Sequence, residues 1–137
     1  MTREEAEKLT EWMSRCPYDV ANGVRPLSVT EGRAEVGVSL RPDHKNIWGI
    51  PHGALLYLLA DVASGVAADS VHRDAHIVTA GSSFNFLYAT SEAKSLRAVG
   101  EVIKPGHCLT IVQADVYDDQ DHHLATGQFT MHVSHAG

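Results

Sequence analysis

Asp61 is the strongest candidate for a catalytic residue in this sequence, because it is a charged residue within an apolar segment. It lies near the middle of the most apolar run of the chain, Gly53 to Ala68. A carboxylate among apolar side chains is unfavourable unless it is paired or put to use. Use as a general base or as a nucleophile is one explanation. A structural hydrogen bond, or a position facing an interface or water, is the alternative.

The segment just before this run is the second candidate feature, and it reads Asn-Ile-Trp-Gly-Ile-Pro-His-Gly over residues 46–53. Proline is favoured in a first helical turn, so we expect a long helix from Pro51 to about Val71. A helix N-terminus has unpaired backbone N–H groups. Gly53 has no Cβ to keep a ligand from its N–H, and such a donor stabilises the oxyanion formed when a carbonyl is attacked. A flexible loop with an ordinary helix cap is the alternative.

The distance between Asp61 and Gly53 indicates that both can act on one substrate only if two copies of the chain associate. Asp61 follows Gly53 by eight residues, which is about 12 Å along a helix that rises 1.5 Å per residue. Two groups so far apart cannot both contact one carbonyl. If both act on it, Asp61 of one subunit must face Gly53 of another, so the hypothesis requires a homodimer.

Composition and charge disfavour several classes of protein. The 11 basic and 17 acidic side chains give a net charge of −6, which argues against binding to nucleic acid or to an anionic membrane. Cys16 and Cys108 fit neither a disulfide framework nor a metal site. The sequence has no zinc pattern, phosphate-binding glycine loop or G-x-S-x-G elbow, so we expect no metal and no separate cofactor.

The same features give an expectation for localisation. The first residues are charged and lack the apolar stretch of a signal peptide. The apolar run is shorter than the roughly 20 residues that span a bilayer and contains a carboxylate. We therefore expect a cytoplasmic protein that does not insert into a membrane.

The remaining pattern predicts an α+β fold. Thr2 and Glu5 form a capping box, so a short N-terminal helix is expected within residues 1–16. Apolar residues alternate from Arg33 to Leu40, which predicts a half-buried strand with a partner strand before it. The whole chain, 1–137, is interpreted as one domain: a curved antiparallel sheet of five to six strands wrapped around the long central helix.

Four of the expected strands follow the central helix. Short polar turns separate them, so neighbouring strands should be antiparallel. In the first of them we expect one shared face, made of Val78, Ala80, Phe84, Phe86 and Tyr88.

These residues resemble those of the hotdog-fold acyl-CoA thioesterases, in particular the PaaI-like branch related to 4-hydroxybenzoyl-CoA thioesterase. The resemblance covers almost the whole chain from about residue 20. Its most specific part is Asn46-x-x-Gly49-x-Pro51-His52-Gly53-Ala54, followed by Asp61 nine residues after the histidine. It implies the hotdog fold, hydrolysis of an acyl-CoA to the acid and free coenzyme A, and an active site that spans a dimer interface.

The resemblance also implies a role for each matching residue. Asp61 would act as general base or nucleophile, and Gly53 would donate its N–H to the thioester carbonyl. Asn46 would help to place the thioester or the water. His52 would support the carbonyl site, and Thr79 would orient the water beside the aspartate.

Substrate-binding positions are expected in two groups. An acyl pocket for an aryl or medium-chain group would include Trp48, Tyr57, Ser82 and Ser83, and the coenzyme A phosphates would meet Lys104 and His107. The homodimers are expected to pair into a tetramer.

Two other functions remain open at this point. Hotdog proteins include hydratases and dehydratases of acyl thioesters, although the step from His52 to Asp61 fits the thioesterases better. A non-catalytic module that binds acyl-CoA is the other, and the carboxylate within an apolar helix argues for catalysis instead. The sequence departs from its relatives at Ala54, where many have glycine, and at Gly65, where some have threonine.

Overall fold

The computed structural model, which describes residues 1–135, contains the predicted long helix and six strands, where the sequence predicts five to six. The strands form one antiparallel sheet in the order β1-β2-β4-β5-β6-β3. A short 3₁₀ turn, Pro42–His44, precedes the central helix. The elements are α1 (Arg3–Met13), α2 (Pro17–Ala21), β1 (Arg25–Thr30), β2 (Arg33–Ser39), α3 (Gly53–Val71), β3 (Ala75–Phe86), β4 (Ser95–Pro105), β5 (Leu109–Asp118) and β6 (His123–His135).

The core lies between α3 and one face of the sheet. Alternating apolar positions of the central strands are buried there, as the period of two predicts. Gly100 on β4 is needed for the close approach, because a Cβ at this position would lie 2.6 Å from the carbonyl oxygen of Ala63 on α3. The main buried side chains are Val36, Val38, Leu59, Val66, Ala98, Val112, Val116, Leu124, Phe129 and Met131.

The N-terminal region holds one helix more than expected. Thr2 caps α1 and shares a capping box with Glu5, as predicted. The chain then turns at Cys16 and begins the separate helix α2 at Pro17, where the missing N–H does no harm. This second helix lies beside the centre of α3 and forms part of the candidate site.

The start of α3 differs from the prediction by two residues. Pro51 is not in the first turn but pairs with Lys45 in an isolated bridge before the helix. His52 is the N-cap, since its side chain accepts a hydrogen bond from the N–H of Ala54. Gly53 is therefore the first helical residue.

The predicted apolar face of β3 is wrong because the strand contains a bulge. Its pairing with β6 shifts between Thr79 and Gly81, and such an extra residue exchanges the two faces of a strand. Thr79 before the bulge and Phe84 after it consequently both contact α3, while Val78 is exposed. In this chain β3 pairs with β6 only, so its other edge is free.

In the described chain, α3 is the one helix long and apolar enough to cross a membrane by length and composition alone. It is the core helix of the fold, because it packs along the sheet.

Candidate active site

The accessible side of α3 is a stripe that repeats every four residues. Gly53, Tyr57, Asp61, Gly65 and Asp69 are all partly or largely exposed, whereas most of the other helix residues are buried. Residues four apart lie on one face of a helix. Asp61 therefore faces an open groove, which fits both explanations from the sequence, a catalytic carboxylate and a carboxylate that faces water or an interface.

Asp61 is held in place by Thr79. The Thr79 hydroxyl donates a hydrogen bond of 2.5 Å to Oδ1 of Asp61. The bulge in β3 directs this hydroxyl toward the helix. One carboxylate oxygen is thus fixed while the other remains available to a ligand or a water molecule.

A groove of about 950 Å³ runs past Asp61, between α3 and β3 on one side and α1 and α2 on the other. Gly65 widens it, since a Cβ there would meet nothing within 4 Å. Its volume is that of a site for a small organic group. The apolar part of its wall includes Trp12, Met13, Leu58, Val62, Ile77 and Met131.

Two further carboxyl groups line the same groove, and the sequence reasoning missed both. Asp19 on α2 is only 6 % exposed. Burial raises its pKa, the Cys16 thiol lowers it, and the nearby charge of Asp61 raises it further, with a net rise. Asp69 is expected from its sequence position to be solvated, but burial raises its pKa to about 6 even though Arg73 and His76 oppose the rise.

Replacing Asp69 with asparagine is expected to stabilise the protein at about pH 7.5. Because the pKa is raised to about 6 from 3.8, the folded state holds this proton more tightly than the unfolded state. Stability is therefore present in full below about pH 4 and is lost as the pH rises through about 6. After allowance for solvent screening, Asp69→Asn should gain about 1–2 kcal/mol at about pH 7.5 and almost nothing at about pH 4.

Urea unfolding between about pH 4 and about pH 7.5 measures the difference in free energy of unfolding between Asp69→Asn and the unmodified protein. Asp74→Asn is the matched control, because Asp74 is exposed in the turn after α3. An Asp69→Asn gain that does not change between about pH 4 and about pH 7.5 would contradict the prediction.

The loop before α3 is organised by Asn46. Its side-chain oxygen accepts hydrogen bonds from the N–H groups of Trp48 and Ile50, at 2.9 and 3.3 Å. Gly49 adopts a φ of +77°, a conformation that favours glycine. Because only the oxygen of Asn46 is used within the described residues, its NH₂ group remains available as a donor.

His52 and Gly53 form the N-terminus of α3. Nδ1 of His52 accepts from the N–H of Ala54 at 2.9 Å, so Nε2 carries the proton of the neutral ring. Among the residues that the structure describes, no group accepts a hydrogen bond from the N–H of Gly53. The ring of Phe86 lies beside it, 3.2 Å from where a Cβ would stand.

His44 anchors this loop, and the sequence analysis did not identify it. It is buried, with Nδ1 accepting from the N–H of Arg41 at 3.0 Å and Nε2 donating to the carbonyl of Asn22 at 2.8 Å. Its own carbonyl accepts from the N–H of His52. His44 therefore fixes the start of the helix through both its side chain and its backbone.

The predicted acyl-pocket residues lie in different environments. Tyr57 and Ser82 bond to each other through their hydroxyls at 2.6 Å, and the Tyr57 ring packs on Phe84. Ser83 is next to Ser82 in β3 and so points to the opposite face of the strand. Trp48 is 83 % exposed at the tip of the loop and contacts no part of its own chain's groove.

The predicted phosphate-binding residues lie at the other end of the molecule from Gly53. Lys104 is the next-to-last residue of β4, and His107 in the following turn stacks on His135 with the ring centroids 4.1 Å apart. Both are exposed, near the C-terminal end of α3. Within the described residues, no three His, Cys, Asp or Glu side chains are grouped so that they could hold a metal ion.

The candidate residues thus form two separate half-sites on one chain. Asp61 and Thr79 lie at the middle of α3, and Asn46, His52 and Gly53 lie at its N-terminus. One half-site can accept a proton or attack, and the other can donate hydrogen bonds to an oxyanion.

An antiparallel sheet of six strands wrapped around one long central helix is the hotdog fold. The comparison with sequence families agrees with this fold. The profile of the thioesterase superfamily matches residues 49–125, so the chain belongs to the thioesterase superfamily. A search of proteins with curated functions found no match.

Solved structures agree with this assignment. A thioesterase family protein from Silicibacter pomeroyi is 26 % identical with a TM-score of 0.88, covering 96 % of this chain and 99 % of that chain. A Streptococcus mutans protein solved with acetyl CoA is 25 % identical with a TM-score of 0.75, covering 82 % and 89 %. The E. coli PaaI protein, from a phenylacetic acid degradation operon, is 22 % identical with a TM-score of 0.87, covering 98 % and 95 %, and shows the shared fold.

Proposed function

We propose that the protein hydrolyses an acyl-CoA thioester to a carboxylic acid and free coenzyme A. The observation that carries the proposal is Asp61, fixed by Thr79 at the edge of a groove in a chain of the thioesterase superfamily. Support for the coenzyme A part comes from the Streptococcus mutans protein that binds acetyl CoA. The groove has room for an aryl or medium-chain acyl group.

The reaction needs a base, an oxyanion donor and water, but no cofactor. Asp61 takes a proton from water as the water oxygen attacks the thioester carbon. The N–H of Gly53 stabilises the resulting oxyanion, with the Asn46 amide beside it. The intermediate then collapses, the carbon–sulfur bond breaks, and the thiolate of coenzyme A leaves and is protonated.

A second route uses the same residues. Asp61 attacks the carbonyl directly, coenzyme A leaves, and water hydrolyses the mixed anhydride. Single-turnover hydrolysis in ¹⁸O-labelled water identifies the second route if the label appears in Asp61, because only attack of water on the Asp61 carbon of the anhydride places it there.

The proposed active unit is a homodimer, since Asp61 and Gly53 of one chain are about 12 Å apart along α3. The free edge of β3, with Val78 and Phe86 exposed, is suited to pairing with the same strand of a second copy. Such pairing would bring the two half-sites of different chains together, and the exposed Trp48 would then lie near the partner's groove. Further pairing of dimers into a tetramer is part of the same proposal.

Release of thiol from a panel of acyl-CoAs tests the function. Aryl-acetyl, benzoyl and straight-chain substrates should be supplied to the purified protein, with enoyl-CoA hydration and acyl-CoA binding measured in parallel. Thiol release from at least one class supports the proposal and names the class. Hydration without thiol release would identify a hydratase, and tight binding without turnover would identify a binding module.

A further inference from the structure

Asp19 is a carboxyl group that the proposed reaction does not use. It belongs to α2, is more than nine-tenths buried, and lines the groove next to Asp61. Within the described residues, no backbone group and no nitrogen or oxygen donor forms a hydrogen bond to its carboxylate. The Cys16 thiol is its one hydrogen-bonding neighbour, and a thiol is a weak donor.

The charges around Asp19 do not compensate its own. Asp61 and Asp69 line the same groove and carry the same charge. Among the described residues, Arg15 is the one basic side chain in the groove wall; it is exposed and forms no salt bridge there with any of the three carboxylates. A buried carboxylate without a cationic partner is unfavourable, so the charge of Asp19 is left uncompensated.

Two aromatic rings complete the groove on the side of α1 and α2. Trp12 and Tyr18 both line it, and both remain exposed in the chain on its own. Indole and phenol faces attract cations, ammonium and quaternary ammonium groups above all. Aromatic faces and carboxylates therefore lie together around one open volume.

From this arrangement we propose that the groove selects acyl groups whose far end carries a positive charge, an ammonium or trimethylammonium group, with Asp19 as its main partner. This inference rests on the proposed thioesterase function and names its substrate class. The cation would neutralise the charge of Asp19 and Asp69 while its methyl or methylene groups pack on Trp12. Burial is the main cause of the raised pKa values of both carboxyl groups, and a bound cation would lower these pKa values.

The length of the acyl group follows from the position of the carboxyl groups on the helix. Asp69 is eight residues beyond Asp61, about 12 Å along α3, and Asp19 lies on the opposite wall. Acyl chains of about six to eight carbons would place a terminal ammonium group within this distance of a thioester carbonyl beside Asp61.

Isosteric pairs of substrates provide the test. Each ω-ammonio acyl-CoA of about six to eight carbons is compared with the acyl-CoA in which methyl replaces ammonium, and each trimethylammonio substrate with its tert-butyl counterpart. At least one cationic substrate should exceed its neutral isostere in kcat/KM by roughly 10-fold or more, since hydrogen-bonded ion pairs out of bulk water are worth this much. Added salt should reduce the preference.

Variants connect the preference to the residue. Asp19→Asn keeps the shape of the side chain and should lower the ratio of kcat/KM for the cationic and neutral substrates by roughly 10-fold. Asp74→Asn removes the same charge from the exposed turn and should leave the ratio unchanged. Circular dichroism and thermal unfolding establish that each variant is folded.

The outcomes separate this inference from the function on which it rests. Hydrolysis of neutral acyl-CoAs with no preference for any cationic partner overturns the inference and leaves the thioesterase function intact. A preference that survives Asp19→Asn in a folded protein overturns the role of Asp19. Absence of hydrolysis across the whole panel overturns the proposed function; calorimetric binding of the same substrate pairs then still decides whether the groove prefers the cation.

Discussion

Replacing Asp61 with asparagine is expected to reduce kcat/KM for thioester hydrolysis by at least about 10²-fold, the scale of losing a general base. Asparagine has nearly the same size and can still accept the hydrogen bond from Thr79, so the groove should keep its shape. What it loses is the ability to take a proton from water or to attack a carbonyl. Thiol release measured under single-turnover and steady-state conditions gives the loss in kcat/KM.

Two further variants show whether the loss in activity is specific to the Asp61 carboxylate. Thr79→Val keeps the volume of the side chain but removes the hydroxyl that fixes Asp61, so we expect a smaller loss than for Asp61→Asn. Asp74→Asn should behave like the unmodified protein. If folded Asp61→Asn keeps more than about a tenth of the activity, Asp61 is neither base nor nucleophile and the proposed mechanism is wrong.

The elements of the fold could be predicted because their signals are local. The alternation from Arg33 to Leu40 and the capping box at Thr2 are each contained within a few residues, and the structure confirms both, with the strand ending at Ser39. The bulge at Ala80 has no such signal. It is determined by how β3 pairs with β6, so the expected apolar face holds for Phe84 after the bulge but fails for Val78 before it.

The candidate site was predictable in part for the same reason. Asp61 and Gly53 differ visibly from their sequence neighbours, and Thr79 followed from the resemblance to a family. Asp69 had a signal that was not used: it lies four residues after Gly65 and so continues the exposed stripe of α3. Asp19 had none, because only the packing of α2 beside α3 buries it in the groove.

The second large effect is expected from a proline at the first residue of α3. Gly53→Pro removes the one N–H that the mechanism uses, at a position where proline suits a helix. His52 already has an extended backbone, with φ −67° and ψ 140°, which a following proline requires. Loss of one oxyanion donor should reduce kcat by about 10²–10³-fold.

Gly53→Ala is the matched control. Alanine brings the same Cβ contact with Phe86, where the ring must move by a few tenths of an ångström, but it keeps the N–H. A small loss for alanine beside a large loss for proline assigns the effect to the donor. Equal losses would assign it to crowding against Phe86 and remove Gly53 from the mechanism.

Mixing the two inactive variants tests the shared site directly. In a symmetric dimer each site takes Asp61 from one chain and Gly53 from the other. A dimer of one Asp61→Asn chain and one Gly53→Pro chain therefore has one site with both defects and one site with none. Random association of equal amounts should restore about a quarter of the unmodified activity, measured after co-refolding or co-expression. Sites complete within one chain would regain nothing on mixing, because every chain in the mixture carries a defect.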